Sequence, residues 1–115
     1  MAIRFLKSNK ILILILILTA FLHLFRLDYP NAYVFDEVYH GFTAKEYLKG
    51  SREAWLWDSV PPPGVAFEWT HPPLAKEFMA LSIFIFGDGA FAWRFFSAVF
   101  GFGAIVLIYL ITLNL

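Results

Sequence analysis

Apolar and polar positions divide the chain into three apolar runs, with one long mixed segment after the first and a short turn between the other two. Residues 11–27 are apolar apart from Thr19, His23 and Arg26. Their alternating Ile-Leu pattern has no polar face; in lipid a helix suits it, because a helix satisfies its own backbone. About 17 residues rising about 1.5 Å each cover about 25 Å, slightly under the ~30 Å hydrocarbon layer, and Lys10 and Arg26 can snorkel to the surfaces. The pattern predicts a transmembrane helix over 11–27. The preceding residues 1–10 hold Arg4, Lys7 and Lys10 and no acid, which makes them a cytoplasmic amino end and sends the next segment outside. Asp28-Tyr29-Pro30-Asn31 follows without a small-x-small cleavage pattern, so an uncleaved anchor is favoured over a signal peptide.

The mixed segment, 28–72, is expected to be an extracytoplasmic loop. Within it 36–49 has no proline and closes on Gly50, which predicts a helix with a glycine stop. Its periodicity is imperfect: His40, Ala44, Tyr47 and Leu48 share one side, while Val38 and Phe42 fall among Lys45 and Lys49. A juxtamembrane helix lying in the interface fits that mixture better than a buried one. Residues 51–67, with Trp55, Trp57 and the run Pro61-Pro62-Pro63-Gly64, read as a loop with polyproline character. Pro72 and Pro73 suit the first turn of a helix. The runs 73–87 and 90–113, joined by Gly87-Asp88-Gly89, then predict second and third transmembrane helices forming a hairpin. That hairpin places Arg94 near the cytoplasmic side, away from the outer segment. Ser97, Ala98, Gly101, Gly103 and Ala104 offer the third span a small-residue side for close helix contact.

Composition agrees with lipid as the solvent. Of 115 residues 60% are hydrophobic and 16% charged, against roughly 45–50% and 25% in soluble domains, and the mean hydropathy is +0.67. A formal net charge of zero with no basic block gives no footprint for nucleic acid. The absence of cysteine excludes disulfide frameworks and thiolate metal sites. The expected class is an all-α membrane protein, multi-pass, and the short amino end favours a prokaryotic plasma membrane over the endoplasmic reticulum.

Two polar knots carry the candidate chemistry. In Phe35-Asp36-Glu37-Val38-Tyr39-His40, Asp36 at a membrane surface can lose hydration and serve as a general base, or it can cap the helix that follows. Glu37 can orient a hydroxyl or a metal ion, or answer the helix dipole. In the second knot, Glu68-Trp69-Thr70-His71-Pro72-Pro73-Leu74-Ala75-Lys76, the double proline fixes where His71 points. Lys76 sits unfavourably near a helix amino end unless an anion answers it, such as a lipid phosphate or a salt bridge with Glu77. No two histidines have a metal-binding spacing, so His23 and His40 are set aside and no metal ligand is assigned. No Walker-type loop and no GxSxG is present.

Phe35-Asp36-Glu37-Val38-Tyr39, His71-Pro72-Pro73-Leu74-Ala75-Lys76, Phe86-Gly87-Asp88 and Trp93-Arg94-Phe95-Phe96-Ser97-Ala98-Val99-Phe100-Gly101, in this order, resemble the amino-terminal part of the protein O-mannosyltransferase family, to which the aminoarabinose transferases of lipid A are related. The resemblance extends over about residues 5 to 115. It implies the start of a GT-C fold and an inverting glycosyltransferase that moves a sugar, mannose or similar, from a polyprenyl-phosphate donor to an acceptor hydroxyl on protein or lipid. It implies Asp36 as the catalytic base, Glu37 as its acidic support, and His71 and Lys76 near the donor phosphate. A divalent metal is left open, as are the sugar and the acceptor. Family enzymes have more spans, so the chain is expected to be an amino-terminal fragment, inactive alone. The competing readings are a small non-enzymatic membrane anchor or assembly subunit whose outer loop binds a partner, and a transporter half using Lys76 and Glu77 as an intramembrane pair.

Overall fold

The computed structural model describes residues 10–113, so Arg4 and Lys7 of the amino end lie outside the described residues. Among the described residues four α-helices follow in order: α1, Lys10–Leu24; α2, Glu37–Leu48; α3, Leu74–Phe86; and α4, Ala90–Thr112, with one 3₁₀ turn, Glu53–Trp55, in the loop before α3. The chain divides into two compact units, Leu27–Phe96 on the one hand and Met1–Arg26 with Ser97–Leu115 on the other, and the division falls inside α4.

In the second of these, α1 and the later part of α4 are apolar all round. No residue of α1 is buried, and Ile11, Leu14, Ile17 and Leu22 are each more than 60% exposed. A helix with this surface has no protein core to enter, and lipid is the medium that suits it. Among the described residues α4 alone is long and apolar enough to cross a membrane; α1 belongs with the shorter apolar helices. It stops at Leu24, and a turn over 25–28 carries Arg26 in the left-handed region (φ 55°), so the helix is three residues shorter at this end than the 11–27 span. Gly101 lets α4 approach α1 closely: a Cβ there would stand 3.0 Å from the His23 ring, whereas Gly103 meets nothing. Only part of the small-residue side is therefore used.

The unit Leu27–Phe96 is built on the packing of α2 against α3. Gly41, Thr43 and Ala44 of α2 are buried, as are Lys76, Ala80, Ser82 and Ile83 of α3, and Ala90, Ala92 and Trp93 complete the cluster. Two expectations change. The small residues of α2 form a contact face for α3, and α3 is shorter than the expected second span. Its 13 residues cover about 20 Å, short of a bilayer, and both ends return to α2. Near its start Lys76 holds Glu68 beside His40, and just past its end Asp88 pairs with Lys45 at 3.1 Å.

Arg94 moves with this correction. It does not lie across a membrane from the outer segment, but forms an ion pair with Glu37, at 2.6 Å from Nε to Oε1 and 2.7 Å from Nη2 to Oε2. Its remaining N–H groups donate to the carbonyls of Leu27, Pro30 and Ala32. The guanidinium gathers three carbonyls while holding a carboxylate with two parallel bonds, which its planar fork of five donors allows.

Tyr33 wedges between these parts, its ring 4.6 Å from that of Trp93. A Cβ on Gly41 would stand 2.6 Å from Tyr33 Cε1, so the ring must shift to admit one. Gly41→Ala is expected to destabilise this unit by about 1–3 kcal/mol, the usual cost of overpacking. A lowered apparent Tm of the full-length protein in detergent checks this, and an unchanged Tm would mean that Tyr33 yields freely.

Candidate functional site

Asp36 occupies the cap position of α2, yet its side chain makes no capping hydrogen bond. Glu37 takes up local backbone instead, its Oε2 accepting from Val34 N–H at 2.9 Å. The intervening residue, Phe35, is held at φ 51° and is 86% exposed. A left-handed conformation is uncommon for an aromatic residue and turns the chain sharply just before the acid. The Asp36 carboxylate is left exposed and makes no hydrogen bond or ion pair among the described residues. Glu37 is in the opposite condition. Burial pushes its pKa up, but Arg94 and the Val34 N–H outweigh that, and it is held below its ordinary value. The adjacent acids are thus one free and one fixed.

Glu68 is the centre of the second knot, and residue types and spacing gave it no special weight. Its side chain is 6% exposed and that of Lys76 1%, with Nζ 2.6 Å from Oε2. Lys76 also donates to the carbonyls of Glu68, at 3.0 Å, and His71, at 2.9 Å. Its three donors are all used within the protein, and its ionic partner is Glu68 rather than the adjacent Glu77. The anion that answers the lysine near the helix start is therefore supplied by the chain itself. Oε1 of Glu68 accepts from the Thr70 N–H, from Thr70 Oγ1 and from the His71 N–H, and lies 2.9 Å from His71 Nδ1. Burial raises the Glu68 pKa, and the bonds from Lys76, Thr70 and His71 more than reverse this, leaving it far below the carboxylate range. A buried carboxylate with this many donors stays ionised.

Thr43 ties the two knots together. Fully buried, its Oγ1 donates to the Tyr39 carbonyl at 2.8 Å and accepts from the Glu68 N–H at 2.9 Å. Glu68 therefore lies against α2, with His40 Nδ1 3.9 Å from Oε2 and the His40 and His71 rings 5.4 Å apart. Burial lowers the pKa of His40, and the charges of Lys76 and His71 add to this while Glu68 and Asp36 oppose it, so the imidazole is neutral near pH 7.

Two cavities flank Glu68 and His71. One, of about 310 Å³, is lined by Asp36, Tyr39, His40, Trp69 and Thr70 besides these two. The other, about 250 Å³, is lined by Lys76, Pro73 and the aromatic set Tyr47, Trp55, Trp57 and Trp69, with Tyr47 and Trp55 stacked 3.9 Å apart. Asp36 and His71 thus line one cavity. Lys76 joins them through Glu68 and His71 rather than by opening into the same space, and Glu37 lies back against Arg94. His40, set aside on sequence grounds, belongs to the site; nothing short of the fold could pair it with residues about thirty positions later.

The family model described as dolichyl-phosphate-mannose-protein mannosyltransferase matches residues 13–115. No curated protein and no solved structure matches the chain.

The Glu68–Lys76 pair sets the acid behaviour of this unit. A carboxyl whose folded pKa is depressed contributes stability in full above its unfolded value, near 4.5, and loses it as pH falls toward the folded value. Lys76→Met removes the main counter-charge and leaves a buried carboxylate. It should cost about 3–5 kcal/mol at neutral pH and weaken the loss of stability on acidification below pH 4.5. Tm measured against pH for the two full-length proteins checks both; curves that run parallel would mean the pair does not govern the transition.

Proposed function

The chain belongs to the dolichyl-phosphate-mannose-protein mannosyltransferase family, and from that premise we propose that it contributes the acceptor-activating half of an inverting, GT-C-type glycosyltransferase site facing the non-cytoplasmic side of a membrane. The family is one of membrane glycosyltransferases, and a mannosyl donor carried on dolichyl or a related polyprenyl phosphate, with a protein hydroxyl as acceptor, is the substrate pair its description points to. The membership supports this reading over a non-enzymatic anchor or a transporter half.

The observation that carries the reading is the exposed Asp36 carboxylate lining one cavity with His71 and Glu68, the latter held from behind by Lys76. In the reaction, Asp36 takes the proton of the acceptor hydroxyl as its oxygen bonds to the anomeric carbon. The bond from that carbon to the phosphate oxygen breaks on the opposite face, and the lipid phosphate leaves with the electron pair. A phosphate needs little help from a general acid, so donors aimed at its developing charge suffice. His71, two-thirds exposed, is the residue of this knot able to reach a phosphate oxygen. Lys76 acts behind it, holding the His71 carbonyl and the Glu68 carboxylate so that the imidazole is presented in one orientation. Glu37 and Arg94 brace the turn from which Asp36 projects.

On this reading α2 and α3 lie together at the membrane surface. Apolar α3 residues that do not face α2, such as Phe84 at 77% exposed, then meet lipid or further helices.

Asp36→Asn in the full-length protein separates the base from a structural acid. Asparagine caps a helix about as well as aspartate, so a merely structural Asp36 would tolerate the change. Sugar transfer from a polyprenyl-phosphate donor is expected to fall by about 10²–10⁴-fold, the contribution of a general base, with abundance and Tm unchanged. Transfer within a fewfold of wild type would reject Asp36 as the base.

A further inference from the structure

His40, Glu68 and His71 come from three different places, the end of the first turn of α2, the loop before α3 and the turn before Pro72, and converge on one point. Each offers one ligand atom, and the three atoms lie within 4.8 Å of one another. Glu68 Oε1 to His71 Nδ1 is 2.9 Å and Glu68 Oε2 to His40 Nδ1 is 3.9 Å. Two ligands about 2.0–2.1 Å from a tetrahedral ion stand about 3.3 Å apart, so the set closes on a metal by movements of about an ångström. We propose that His40, Glu68 and His71 form a binding site for a divalent transition metal of the zinc class, with two imidazoles and one carboxylate as ligands and an open fourth position.

Three features of the site support that chemistry. Glu68 is buried, with its orientation fixed by Thr43 through the backbone and by Lys76 through the carboxylate. Such outer contacts are what hold ligands in register. His71 is accessible and precedes two prolines, so its backbone is set and its ring is held at the cavity, 2.9 Å from Glu68 Oε1. Finally, the ligand atoms line the 310 Å³ cavity together with Asp36, which leaves room for a fourth ligand from solvent or substrate. Two histidines with a glutamate and one open position form an established zinc ligand set, whereas magnesium and calcium take oxygen.

Lys76 is the competing consideration, since its ammonium already lies 2.6 Å from Oε2. Glu68 and Lys76 cancel in charge, and Asp36 adds one negative charge on the same cavity, so a divalent ion leaves the cluster with one positive charge in excess. A phosphodiester bears one negative charge. On the reading of the donor given above, the metal and the lipid phosphate would then bind together more tightly than either alone.

The direct test is metal binding by the full-length protein in detergent, measured without turnover. After treatment with chelator and dialysis against zinc, elemental analysis should find about one ion per chain. Cobalt in its place should show the visible bands of tetrahedral coordination. His40→Ala and His71→Ala should each weaken zinc binding by about 100-fold or more, beyond the roughly 10–100-fold typical of changes in outer contacts, while circular dichroism and Tm without metal stay at wild-type values. His71 is exposed, so its variant tests the ligand even if His40→Ala perturbs packing. No stoichiometric zinc, or zinc retained unchanged in both variants, overturns the proposal and leaves the cluster as hydrogen bonds alone. Neither result bears on Asp36, so the glycosyltransferase reading and the metal site fail separately.

Discussion

A buried ion pair between Glu68 and Lys76 is the constraint on which the rest of this unit depends. With side chains 6% and 1% exposed, neither group could be placed here alone, because an isolated buried charge costs several kcal/mol even after relaxation. The pair is tolerable because nearly every donor and acceptor around it is used. Lys76 gives its three donors to one carboxylate and two carbonyls, and Glu68 takes N–H and O–H groups from Thr70 and His71. These bonds turn a proline-flanked loop, with no regular hydrogen bonding of its own, into a rigid wall. They also hold the amino end of α3 against α2.

A second ion pair, Arg94 with Glu37, does the same for the other wall. It fastens the start of α4 to the turn before α2 and collects the carbonyls of Leu27, Pro30 and Ala32. The two pairs use four charged side chains to fix the backbone, whereas the Asp36 carboxylate beside them makes no hydrogen bond or ion pair among the described residues. The neighbouring charges are neutralised in pairs, and the Asp36 carboxylate stays exposed. A catalytic carboxylate that also capped a helix or bridged to an arginine would be a weaker base for either reason.

What could be read from the sequence is unequal across the site. Asp36, Glu37, His71 and Lys76 stand out because polar residues are rare in so apolar a chain and because they recur in short ordered motifs. Glu68 and Arg94 carried the same rarity but lacked a local reason. Glu68 lies 25 residues from Thr43 and 28 from His40, separations that no periodicity records. Arg94, in a long apolar run, was assigned by the charge rule for loops, which presumes that the preceding run crosses the membrane. In the structure α3 packs along α2, and Arg94 pairs with Glu37. Hydropathy counts Ala80 and Ile83 as apolar whether they face lipid or another helix, and it cannot tell that Lys76 and Ser82, on the same helix and fully buried, face α2. Once α3 is recognised as a partner for α2, the Gly87-Asp88-Gly89 turn must lie by the helix it started from, and Arg94 comes within reach of Glu37.

The small residues of α2 show why its packing was hidden. Gly41, Thr43 and Ala44 bury almost no apolar area each, so a helix that contacts its neighbour through them has no apolar stripe. They allow close approach, and that approach is what the site requires. Thr43 reaches the Glu68 N–H only because the backbones are near, and Gly41 leaves the space that the Tyr33 ring fills. A larger face on α2 would have read more clearly as an amphipathic helix and would have pushed α3 outward, lengthening the distance from His40 to Glu68. The weak periodicity of this helix and the convergence of His40, Glu68 and His71 therefore have one cause: the interface is chosen for nearness of backbone rather than for area buried.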